Sequence, residues 1–165
     1  IRLSLVGSEM CIRDSYYDAH KDVLGMHPKF DAFNPQWPVF TSHYQGPVAG
    51  IFNSTIDNTL VGSAAIVHGA SIRNSIIRRE AVIEPEVELD ECIIMDYVRI
   101  CHGARLRRVI VDRHNIIEAG AEIGFDPVMD RERYHMTRGG VVVVPKGKAV
   151  YFARDARGSG LGYDE

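Results

Sequence analysis

DNTLVGSAAIVHGASIR (57–73), NSIIRREAVIEPEVELD (74–90), ECIIMDYVRICHGARLR (91–107) and RVIVDRHNIIEAGAEIG (108–124) are consecutive 17-residue rows of one chain. An aliphatic residue falls at Leu60, Ile66, Ile72, Ile77, Ile83, Leu89, Ile94, Ile100, Leu106, Val111, Ile117 and Ile123, spaced 6, 6, 5 through four repeats. Helices repeat every 3.6 residues and strands every 2, so neither produces this rhythm. A three-sided coil does, because each side is a short strand sending one aliphatic side chain inward. Stacked coils place like residues above one another. The predicted fold is therefore all-β, a parallel β-helix of about four coils, with Leu60, Ile77, Ile94 and Val111 in one inward column. Spacing leaves the handedness open, and general crossover rules favour right-handed connections.

Other columns agree with this register. Arg73, Asp90 and Arg107 alternate in sign, as do Arg79, Asp96 and Arg113, and Glu88, Arg105 and Glu122. Rungs stack at about 4.8 Å, where opposite charges attract. One corner recurs as His68-Gly69-Ala70, Pro85-Glu86-Val87, His102-Gly103-Ala104 and Ala119-Gly120-Ala121. Glycine there suits a tight corner with positive φ.

At 165 residues the chain is one domain with appendages. A net charge of −3 and the lack of a basic-aromatic run argue against nucleic acid as a partner. No apolar run is long enough to span a membrane. The cysteines, Cys11, Cys92 and Cys101, are odd in number and lack metal-ligand spacing, which reads as reduced cytoplasmic thiols.

Residues 1–15 (IRLSLVGSEMCIRDS) look unrelated to the rest of the chain and are expected to be a non-native leader. A short helix is predicted over 16–24, ended by Gly25. Pro28, Pro35, Pro38 and Pro47 make 26–50 an extended linker, with Trp37 anchoring it on a neighbouring surface. Beyond the coils, a helical turn is expected over 130–136, a buried strand over 141–144 and a flexible tail over 153–165.

YYDAHKDV (16–23), NPQWPVFT (34–41), GPVAGIFNSTI (46–56), NSII (74–77), RLRRVIVDRHNIIEAGAEIG (105–124) and DRERYHMTRGGVVVVPKG (130–147) occur in that order. Over about 16–152 the chain resembles the C-terminal region of bacterial glucose-1-phosphate adenylyltransferases. The resemblance implies a left-handed, hexapeptide-type β-helix over 51–152 that serves regulation and oligomerisation, with 16–50 a remnant helix and linker from a missing catalytic domain. That family makes ADP-glucose and pyrophosphate from ATP and glucose 1-phosphate in glycogen biosynthesis, with Mg²⁺ accompanying ATP in an N-terminal nucleotidyltransferase domain. No glycine-rich phosphate loop is found in this chain. The resemblance thus implies no catalytic residue, cofactor or metal here, and an isolated chain without activity. The implied partners are its own N-terminal catalytic domain, further copies in a homotetramer and a sugar-phosphate effector, all in the cytoplasm. Arg113, in Val111-Asp112-Arg113, matches an arginine implicated in effector phosphate binding. Lys146 stands where many members carry arginine, which leaves effector identity open because an ammonium cannot grip phosphate bidentately.

Each candidate has a plainer competitor. Arg113 completes the Arg79–Asp96–Arg113 ladder, and Lys146 reads as a solvated strand-end lysine. His68 and His102 share a column, which suggests a metal or an acyltransferase base. Two rungs separate them by roughly 9.6 Å, too far for one zinc ion with ligands at about 2.0–2.1 Å, so exposed corner histidines are expected. Arg131 and Arg133 are expected to pair locally with Asp130 and Glu132. The alternatives to the regulatory reading are a hexapeptide-repeat acyltransferase and a structural β-helix of another sugar nucleotidyltransferase.

Overall fold

Short strands recur in threes along the chain, one for each side of a triangular coil. The computed structural model describes residues 3–32, 34–36 and 46–149, with side chains from residue 12 onward. Trp37 and the tail over 153–165 lie outside the described residues. Helix α1 (Leu3–Lys21) comes first. The rungs are β1 (Gly50–Phe52), β2 (Thr55–Asp57) and β3 (Leu60–Val61); β4 (Ile66–His68), β5 (Ser71–Arg73) and β6 (Ile76–Ile77); β7 (Val82–Ile83), β8 (Glu88–Asp90) and β9 (Ile93–Ile94). They continue with β10 (Arg99–Ile100), β11 (Arg105–Arg107) and β12 (Val109–Val111), then β13 (Ile116–Ile117) and β14 (Glu122–Ile123). Helix α2 (Pro127–Arg133), β15 (His135–Met136) and β16 (Val142–Val144) complete the order.

The strands form three sheets, β1-β4-β7-β10-β13, β2-β5-β8-β11-β14 and β3-β6-β9-β12-β16-β15. Every pairing is parallel except β15 with β16. The prism is therefore the parallel β-helix that the 17-residue rhythm predicts. Its core is a stack of branched aliphatics, with Ile72, Ile77, Ile83, Ile94, Ile100 and Leu106 almost fully buried.

The register of the earliest rungs corrects the expectation. Val61, not Leu60, pairs with Ile77, and Val67, not Ile66, pairs with Ile83. The offset there is 16 residues and becomes 17 from the β5–β8 pairing onward. Leu60-Val61 and Ile66-Val67 are both aliphatic pairs, so composition could not say which member faces inward. Alternation along each strand sends the two members to opposite faces, and hydrogen-bonded closure of the shorter coil selects the second.

Charge columns hold on the second side. Asp57, Arg73, Asp90 and Arg107 lie in register, and Arg73 Nη2 is 3.6 Å from Asp90. Arg105 reaches Glu88 at 3.1 Å and Glu122 at 3.0 Å. The corners are less dependent on glycine than the motif implied. Glu86 takes one corner with φ of 60° between Gly69 and Gly103. Ala64, Glu80, Tyr97 and His114 take a second, and Asn58, Asn74, Glu91 and Arg108 the third, all with φ of 43–63°.

Paired aliphatics on the third side bury both strand faces. Ile76, Ile93 and Ile110 point outward yet are 8 %, 2 % and 5 % exposed. Helix α1 contributes to this cover: Tyr17 packs with Ile93, Ile110 and Val141, and its hydroxyl donates to the Glu91 carbonyl at 2.7 Å. The helix begins at Leu3 and ends at Lys21 rather than spanning 16–24. No proline interrupts 3–21, so helical propensity continues upstream of Tyr16.

After β14 the chain leaves the coil and returns. Asp126 caps α2 by accepting from Val128 and Met129 N–H, and Pro127 opens it, so the helical turn sits at Pro127–Arg133 instead of 130–136. The buried strand is Val142–Val144, paired with β12 in continuation of the third sheet. Tyr134 and Met136 pack against the core at this end.

Candidate functional site

The corner between the third and first sides gathers both candidate effector residues. Backbone N–H groups of Tyr97, His114 and Gly147 donate to the carbonyls of Arg79, Asp96 and Arg113 at 3.3, 3.3 and 3.1 Å. Successive rungs therefore place Arg79, Asp96, Arg113 and Lys146 in one column. Lys146 arrives from far along the sequence because β16 replaces the next rung. Two features hold it there. Asn115 Nδ2 donates to both the Asp112 and Pro145 carbonyls at 2.8 Å. A Cβ at Gly147 would sit 2.1 Å from the His114 carbonyl oxygen, so only glycine permits this approach.

Side chains in the column do not all follow the alternating ladder. Asp96 is 3 % exposed and is held by Arg78 Nε at 2.9 Å and Arg79 Nε at 3.5 Å. Arg113 turns instead to its own neighbour, with Nε 3.8 Å from Asp112 Oδ1, and stays half exposed. The carboxylate of Asp112 also accepts the Arg113 backbone N–H at 2.7 Å. The ladder role expected for Arg113 is thus taken by Arg78, because the two arginines of the neighbouring rung already saturate Asp96. Lys146 is exposed beside it. His114 stacks on Tyr97, ring centroids 5.2 Å apart and nearly parallel, which walls one flank of the corner.

Arg113 and Lys146 stand on adjacent rungs, which stack at about 4.8 Å, and Arg113 keeps Asp112 as its acidic neighbour. A guanidinium offers a fork for phosphate and an ammonium a point charge. The corner therefore presents two exposed basic side chains from one column to solvent.

The remaining candidates separate. His102 is exposed, with Nε2 3.3 Å from Glu86, whereas His68 is half-buried rather than open to water. Among the described residues no three His, Cys, Asp or Glu side chains are placed to hold a metal ion. Arg131 and Arg133 are exposed, and the local ion pairs expected with Asp130 and Glu132 do not form among the described residues. Asp130 is buried and accepts the Gly124 N–H at 3.0 Å, with burial raising its carboxyl pKa. Cys92 is buried and Cys101 half-buried, both as free thiols.

Residues outside the predicted set complete the corner. Tyr16 on α1 is half-buried, and its hydroxyl feels the charges of Arg78, Asp112 and Asp96. Burial raises its hydroxyl pKa. The clue in the sequence was Arg78-Arg79 beside a single acid one row on, which a one-residue-per-row column cannot resolve.

Three stacked sheets, parallel throughout the coils, define the class. Residues 50–144 match the family model described as GlmU-like, C-terminal hexapeptide, and the chain belongs to that family, whose hexapeptide coil is the left-handed type. Among individual proteins it is similar to glucose-1-phosphate adenylyltransferases. The protein of that name from Thermodesulfovibrio yellowstonii is 38% identical over 132 residues, 80% of this chain and 32% of the relative. Those of Acidothermus cellulolyticus and Mycolicibacterium smegmatis are 41% and 42% identical, over 83% and 81% of this chain and 34% and 33% of theirs. The chain spans about a third of the length of the curated relatives it matches. Among the described residues no helix is long and apolar enough to cross a membrane.

Proposed function

We propose that the chain is the C-terminal regulatory and oligomerising β-helix of a cytoplasmic glucose-1-phosphate adenylyltransferase. The parent would make ADP-glucose and pyrophosphate from ATP and glucose 1-phosphate, feeding glycogen biosynthesis, with Mg²⁺ and ATP bound by its own catalytic domain. The homotetramer is assembled from several such prisms. The corner formed by Arg113 and Lys146 receives a sugar-phosphate effector. The supporting observation is their position on adjacent rungs of one column, through the Gly147 N–H bond to the Arg113 carbonyl. Activation then works as a coupling: the effector binds better to one arrangement of catalytic domain and prism and shifts that equilibrium.

The test is Arg113→Ala in the full-length parent. Activation by sugar phosphate is expected to weaken while basal turnover is largely kept. Unchanged activation curves would remove Arg113 from the effector site. Lys146→Arg is expected to tighten the response, since it restores a bidentate grip.

A further inference from the structure

The three sides of the prism turn different chemistry outward. The third presents Ile76, Ile93 and Ile110, and the first presents Ile66 and Val82, all of them buried. The second side is polar on every rung. One of its outward columns reads Asp57, Arg73, Asp90 and Arg107, so the sign alternates along it. The other runs from the neutral Thr55 and Ser71 to Glu88, Arg105 and Glu122. Within the chain the middle of the first column is paired, with Arg73 Nη2 3.6 Å from Asp90. Asp57 and Arg107, at its two ends, are exposed and enter no ion pair among the described residues. Three rungs separate them, roughly 14 Å at strand spacing, so they cannot meet inside one chain.

We infer that the second side is where a second copy of this chain docks, with the two prisms antiparallel about a two-fold axis parallel to the strands and midway between the Arg73 and Asp90 rungs. That operation sets Arg73 opposite the partner's Asp90 and Asp57 opposite the partner's Arg107. Each pair occurs twice, as a self-complementary contact requires. In the other column Ser71 meets the partner's Glu88 and Thr55 the partner's Arg105, so no like charges face each other. Prisms laid side by side in the same direction would instead press Glu88 against the partner's Asp90 and Arg105 against the partner's Arg107. Like charges in those positions exclude that arrangement. The contact rests on the oligomerising reading above and names its face. One side of a short prism is a small surface, and exposed charges are screened by salt, so the association is concentration-dependent and weakens as salt is added.

The experiment follows this 165-residue chain by sedimentation velocity over a concentration series, at low and high salt. The unaltered chain is expected to dimerise, less strongly at high salt. Asp57→Arg and Arg107→Glu each set like charges face to face and are expected to weaken self-association at least about tenfold. Circular dichroism should stay unchanged, because both sites are exposed. Mixing the two variants is expected to restore association to within about threefold of the unaltered chain, since each supplies the sign the other lacks. Such rescue between chains has no source inside one chain, where positions 57 and 107 lie too far apart. Asp57→Asn and Arg107→Gln remove charge without reversing it and are expected to weaken association more mildly, which covers a reversal that does not fold. Self-association indifferent to these changes, or a mixture no better than its components, overturns this face and leaves the oligomerising reading standing. A chain that stays monomeric throughout overturns both.

Discussion

Each inward side chain occupies one slot in a stack, so the cost of changing it is set by its neighbours above and below. Ile94 is fully buried between Ile77 and Val111. Ile94→Ala leaves a cavity the rungs cannot close and is expected to cost about 2–5 kcal/mol, read as a lower urea midpoint. Burial also pushes the Cys92 thiol from 9.0 up to about 12. The unfolded chain thus ionises first as pH rises. Its contribution to stability is complete below about pH 9 and is lost between pH 9 and about 12. Urea midpoints followed across that range should fall more steeply for the native chain than for Cys92→Ala. At this scale the sequence was legible where one aliphatic stood alone, as at Ile72 and Leu106. It was ambiguous at Leu60-Val61 and Ile66-Val67, where two candidates adjoin and only strand pairing chooses.

Strand pairs and the helix they carry obey a different logic. The second members of the pairs at 76–77, 93–94 and 110–111 built the predicted core. The first members form an outward apolar column covered in part by α1. That second 17-residue column was readable in NSII, ECII and RVIV, yet its cover depends on a helix distant in sequence. Tyr17→Phe removes the part-buried bond to the Glu91 carbonyl. We expect a loss of about 1 kcal/mol and faster exchange of α1 amides, with the coil amides unchanged. A helix held mainly by coil packing with no role for that hydroxyl would show neither effect.

For the molecule as a whole, a solenoid is nearly one-dimensional, and its ends differ. At the C-terminal end Ile117, Ile123 and Val144 are at most 5 % exposed, with Tyr134 and Met136 packed on the core. At the N-terminal end the inward-facing Ile51 is 48 % exposed and Ile56 and Val61 are half-buried. Unfolding should therefore begin at β1–β3 and propagate toward the middle rungs. Hydrogen exchange measured residue by residue should be fastest in β1–β3 and slowest in β8–β12; uniform exchange along the prism would show that the coils unfold as one unit.

Periodicity alone determined the triangular prism, its parallel strands and most of its core, because each rung repeats the same local contacts and a repeat in space needs a repeat in sequence. The buried strand near 141–144 was also readable, as a run of four valines. The 16-residue first coils, the switch of Arg113 from Asp96 to Asp112 and the arrival of Lys146 beside it were decided only by the tertiary structure. Each depends on which distant residues meet when the chain leaves the coil after Ile123 and returns at Val142. No local pattern records that geometry.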